Sequence, residues 1–172
     1  AGVYGIANPT TGVTYGVAGK SNSSSGKGIF SYGPLAASGT LEGIQPHPSD
    51  PTKQIALASL QGNEAGTYFR GSATLASGKA VIKVPEAFRL SSEPVGITVH
   101  ITPSGPAQTW VSEKTLDRIT VRGDRNVAFD YIVYGVRRTF AGFQPMQKNT
   151  VFVPDIRGKE YGTQYSEEFR KL

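Results

Sequence analysis

The sequence contains no cysteine and, among 172 residues, only two histidines, His47 and His100. The first absence removes disulfides, thiolate nucleophiles and thiolate-bound zinc or iron–sulfur clusters together. The second leaves too few imidazoles for the short-spaced ligand sets of a zinc site. No run of about 18 apolar residues occurs, so no transmembrane segment is expected, and no basic-then-apolar pattern reads as a retained signal peptide. Catalytic motifs are missing too: there is no G-x-S-x-G elbow, no P-loop and no H-E-x-x-H, and a dinucleotide fingerprint would need a βαβ unit that the pattern lacks. We therefore expect no enzyme, no catalytic residue, no metal and no cofactor. Carboxylate pairs can act without a local motif, which keeps a glycan hydrolase as the least favoured reading.

What the chain has in quantity is glycine, 21 residues, and a modest excess of basic over acidic side chains, 18 against 13. The glycine is unevenly placed. Residues 1–43 hold 10 of the 21 glycines but only three charges, Lys20, Lys27 and Glu42. Within this part a unit recurs: Gly2-Val3-Tyr4-Gly5, Gly12-Val13-Thr14-Tyr15-Gly16-Val17 and Gly28-Ile29-Phe30-Ser31-Tyr32-Gly33. Turn-rich stretches separate the units, among them Ser21 to Gly26. Strands this short cannot bury enough apolar surface to offset the ordering of their own backbone, so they need neighbours. Stacked repeats, or identical chains wound around an axis, supply them. The reading is a glycine-rich repeat stalk whose Val3, Tyr4, Val13, Tyr15, Val17, Ile29, Phe30 and Tyr32 meet other subunits; a flexible linker is the plainer alternative.

Beyond this, the pattern becomes that of an antiparallel β-domain over residues 44–145, followed by a C-terminal extension, 146–172, partly irregular with a short helix. Strands are expected at 54–60, 67–75, 79–84, 95–102, 108–113, 118–121 and 127–137, with turn residues between them. Ile97, Val99 and Ile101 alternate, as do Phe129, Tyr131 and Val133. Such spacing without helical periods indicates a sandwich or a barrel-like sheet. Only two segments read as helical: a single turn after Pro85, and 166–172, which opens on Ser166 as a cap. Its Tyr165, Phe169 and Leu172 are expected to dock elsewhere. Gly78 is expected in an outlying hairpin turn.

Few residues stand out as chemistry. His100 sits between Val99 and Ile101 and is expected on the opposite, outward face; His47, in Pro46-His47-Pro48, marks a rigid turn. Arg122-Gly123-Asp124 matches an integrin-binding tripeptide but reads more simply as a hairpin turn, and Asn22-Ser23-Ser24 is a formal glycosylation acceptor. Trp110, Tyr68 and Tyr134 offer aromatic faces to a sugar ring, with packing as the ordinary alternative. The basic residues of the second half are scattered, without a block of five or six, so a solvated strand face is expected and no specific nucleic-acid site.

The units G-V-Y-G and Y-G-V-A-G-K-S-N-S-S-S-G-K-G-I-F resemble the repeats of bacterial and bacteriophage tail-fibre-like surface proteins. Residues 71–88 and 130–138 resemble the β-domain that follows those repeats in some bacterial members. The resemblance implies an extracellular, cell-surface or virion fibre, commonly a homotrimer, with structural or recognition duty at its tip. Some relatives end in a self-cleaving chaperone domain with a serine nucleophile, and no such segment is legible here. The expected function is a structural fibre or filament subunit; the alternative is a tip domain binding a cell-surface glycan or receptor.

Overall fold

A computed structural model describes residues 5–9, 11–12, 15–32, 35, 37, 39–148 and 165–171. Val3, Tyr4, Val13 and Leu172 lie outside the described residues. The chain divides into two compact units, Ala1–Leu60 and Gln61–Leu172, and the fold of the second is the better defined by its pairing.

In the N-terminal unit the glycines do local work. An added Cβ at Gly5 would collide with the carbonyl of Gly16, and one at Gly19 or Gly28 with the carbonyl of the other. Backbones therefore approach each other where both partners lack a side chain, and the chain between them reverses at a turn closed by Gly26 N–H donating to the Ser23 carbonyl at 3.0 Å. The unit ends in a hairpin of β1 (Glu42–Pro46) and β2 (Gln54–Ala58), paired from Glu42↔Ala58 to Pro46↔Gln54. Its loop is organised by two side chains. His47 Nδ1 accepts from the Ser49 and Asp50 N–H groups, while Asp50 accepts from Thr52 and pairs with Lys53 at 2.9 Å.

The C-terminal unit is an all-β sandwich with one α-helix among its described residues. β3 (Gly66–Thr74), β8 (Ala128–Val136) and β5 (Thr98–Pro103) form one antiparallel sheet in the order β3-β8-β5; β4 (Lys79–Lys83), β7 (Arg118–Gly123) and β6 (Thr109–Lys114) form the other, in the order β4-β7-β6. Neither closes into a barrel among the described residues. The period-two alternation that makes each strand half-apolar also builds the core: Ile82, Ile119 and Val121 from one sheet meet Phe129 and Val133 from the other, with Leu75, Val84, Phe88 and Ile97. Fully burying a side chain such as Phe129 or Ile119 stabilises the fold by about 1.5–3 kcal/mol.

The single helix, α1 (Glu86–Ser91), follows Pro85, which stands at its N-cap. It sets Phe88 against Phe69 with ring centroids 4.8 Å apart. Its end is well served: the Ser92 N–H donates to the Phe88 carbonyl at 2.9 Å, and the Arg138 guanidinium donates to the Ser92 carbonyl at 2.9 Å. Ser92 is fully buried, and its hydroxyl pairs with that of Thr67 at 2.7 Å.

One expectation changes. The C-terminal segment forms only a 3-10 turn, Phe169–Lys171, although Ser166 does accept from the Phe169 N–H at 3.2 Å. One turn cannot propagate, and Tyr165 and Phe169, rather than docking elsewhere, stack on each other at 5.4 Å and remain exposed. Gly78 lies in the tight turn between β3 and β4, as expected, with a φ of +70°; its N–H donates to Asn126 and its carbonyl accepts from the Gly123 N–H.

Candidate interaction surfaces

Three surfaces gather the residues singled out from the sequence. The first belongs to the N-terminal unit, where Tyr15, Val17, Ile29, Phe30 and Tyr32 all point to solvent and Tyr32 is 99% exposed. Phe30 and Tyr32 touch edge to face, centroids 5.0 Å apart. Close glycine-to-glycine backbone contact leaves no interior for side chains here, so the apolar ones project outward.

The second is the outer face of the β3-β8-β5 sheet. The register forms the cross-strand rows Tyr68–Tyr134–Thr98, Arg70–Ile132–His100 and Ser72–Asp130–Thr102, with the β8 residue in the middle of each. Tyr68 and Tyr134 are thus cross-strand partners, 6.4 Å between ring centroids, and His100 meets Tyr134 edge-on at 6.0 Å. His100 is exposed on this face, as the alternation predicts. Below the rings lies an open depression of about 510 Å³ between Arg70, Ser72, His100, Thr102 and Asp130. The Ser72 hydroxyl donates to Asp130. This set can hydrogen-bond a polar ligand from both sides; the Ser72 hydroxyl is engaged by the Asp130 carboxylate and not by His100.

The third is the outer face of the β4-β7-β6 sheet, and it takes Trp110 away from the two tyrosines. Trp110 pairs with Arg122, which pairs with Lys79, so the three side chains form one row across the sheet. Four residues along β4, Lys83 pairs with Arg118. Glu113 is the carboxylate of this face. It takes two bonds from the Arg118 guanidinium, at 2.9 and 2.8 Å, and one from the Thr120 hydroxyl at 3.0 Å. The bonds from Arg118 and then Thr120 hold the Glu113 carboxyl below its ordinary pKa, with Coulombic help from Arg118 and Lys79. A β-bulge at Ser112 shifts the register of β6, so Lys114 comes opposite the core residue Ile119 and its ammonium reaches the Ile97 carbonyl at 2.8 Å. The basic character of the sheet is invisible in sequence because its members are dispersed from 79 to 122; reading outward positions strand by strand recovers it only once the pairing is known.

The tripeptide Arg122-Gly123-Asp124 falls at the end of β7, and its carboxylate is engaged: Asp124 accepts from the Gln108 N–H and from the Arg125 guanidinium, whose bonds lower its pKa. Among the described residues no group of three or more His, Asp or Glu side chains is arranged to hold a metal ion, and no helix is long and apolar enough to cross a membrane. Comparison with protein-family models, with curated proteins and with solved structures gives no match.

Proposed function

We propose that this protein is a non-enzymatic structural subunit of an extracellular or virion fibre that assembles as a homo-oligomer, a trimer by the resemblance of its repeats. The observation that supports this reading is the outward display of Tyr15, Val17, Ile29, Phe30 and Tyr32 from a backbone held together by paired glycines. At about 25 cal/mol per Å², removing these side chains from water is worth on the order of several kcal/mol per subunit. A second copy of the same segment, exposing the same side chains, would supply that cover.

The test is the mass of the full chain in solution by light scattering, beside a triple variant Ile29→Ser, Phe30→Ser, Tyr32→Ser. These side chains are exposed in the single chain, so the variant keeps its folded spectrum and loses its assembly. A wild type that stays monomeric at micromolar concentration refutes the proposal.

The outer face of the β3-β8-β5 sheet favours a second reading, a tip domain that binds a glycan or receptor, because Tyr68 and Tyr134 stand together one cross-strand row from a depression lined by Arg70, Ser72, His100, Thr102 and Asp130. Tyr68→Ala and Tyr134→Ala would then abolish binding to cell-surface glycans on an array while leaving oligomer mass unchanged.

A further inference from the structure

The β4-β7 ladder sets Lys79 directly opposite Arg122 and Lys83 directly opposite Arg118. Like charges in cross-strand register destabilise a sheet, and here the arrangement occurs at both ends of one five-residue pairing. Arg118 has its charge met by Glu113; Lys79, Lys83 and Arg122 form no ion pair among the described residues. Between the two cationic rows the outward residue of β4 is Val81, exposed, and at the end of one row stands Trp110, 49% exposed. The face is thus cationic at two places about 13 Å apart, given roughly 3.3 Å per strand residue, with the row Val81, Thr120 and Glu113 between them, its carboxylate engaged by Arg118, and Trp110 beside one of them.

We propose that the outer face of the β4-β7-β6 sheet binds an acidic polysaccharide, its carboxylates on Lys79, Arg122 and Lys83 and the apolar face of a sugar ring on Trp110. All of its residues belong to the C-terminal unit, and none to the segment proposed to self-associate. Sparse cations, separated by a row in which Val81 is exposed and the Glu113 carboxylate is taken up by Arg118, suit a polymer whose charges are interrupted by neutral ring surface. They suit nucleic acid poorly: a duplex carries one charge per about 1.7 Å, and single strands are held on two or three stacked aromatics where this face has one.

Trp110 is the sole tryptophan, so its emission reports occupancy of this face directly. Polygalacturonate titrated into the full chain is expected to change that emission saturably, and more weakly as salt is raised. The double variant Lys79→Gln, Arg122→Gln should weaken binding about tenfold or more, two exposed charge contacts being lost, while Lys20→Gln, Lys27→Gln removes the same net charge from the other unit and leaves binding unchanged. The first variant keeps or raises the thermal midpoint, because it relieves a like-charge pair, so lost binding is not lost folding. No emission change, equal weakening by both variants, or an equal response to neutral dextran overturns the site. Tighter binding of oligo(dT) at the same salt overturns the choice of polysaccharide.

Discussion

The ring of Phe88 occupies the space into which a side chain at Gly135 would extend. A Cβ at Gly135 would lie 2.8 Å from the Phe88 ζ carbon and 3.2 Å from the Thr67 hydroxyl oxygen. The helix closes over the sheet because β8 presents bare backbone at that point. Gly135→Ala should destabilise the domain by about 1–3 kcal/mol, the ordinary cost of overpacking, measured by urea unfolding. Phe88→Ala removes the obstacle, so in that background the same glycine change should be nearly neutral; undiminished cost there would show that another contact is responsible.

Acid should weaken the β6-β7 pairing through Glu113. Its pKa is depressed in the folded protein by Arg118 and Thr120, so the contribution to stability is present above the ordinary glutamate pKa and is lost as pH falls through the lower, folded value. Glu113→Gln should flatten that part of the stability profile between neutral and strongly acid pH, as followed by thermal midpoints. An unchanged slope would assign the acid sensitivity to other carboxylates.

Reversing one charge of the Lys79–Arg122 pair should stabilise the sheet. Lys79→Glu replaces a repulsive cross-strand pair by an attractive one, with an expected gain of roughly 0.2–1 kcal/mol in chemical denaturation. A loss of stability would indicate that the lysine stem packs on its neighbours more than its charge repels.

Substitutions at two glycines of the N-terminal unit should separate cleanly. Gly28→Val meets the Gly19 backbone at close range, whereas at Gly39 nothing lies within 4 Å of an added Cβ. Light scattering on the full chain should find assembly weakened by the first and unaffected by Gly39→Val. Equal behaviour would leave the paired glycines without a part in association.

The strands of the sandwich were legible because half-burial imprints alternation. All seven expected segments coincide with β2 to β8, and Ile97, Val99, Ile101, Phe129 and Val133 face inward as their spacing requires. β1 was not legible: Glu-Gly-Ile-Gln-Pro has neither alternation nor strand propensity, and it pairs because the His47 and Asp50 loop returns β2 alongside it. Pairing was hidden as well. Within the sandwich, successive strands change sheets at every connection except β6 to β7, so neighbours in sequence are rarely neighbours in space. That is why Tyr68 and Tyr134, 66 positions apart, meet while Trp110 goes to the opposite face, and why dispersed lysines and arginines converge.

The longest ladder among the described residues joins the first strand of the sandwich to the last, from Gly66↔Val136 through Thr74↔Ala128. The chain therefore enters and leaves the domain at the same end. Tension between those two points would part this ladder as a zipper, one residue pair after another starting at Gly66 and Val136, whereas a sheared pair loads all its bonds together. A domain threaded in this way resists pulling poorly. In a fibre of the kind proposed, it would belong at the end or flank, where the load bypasses it, rather than as a link through which the load must run.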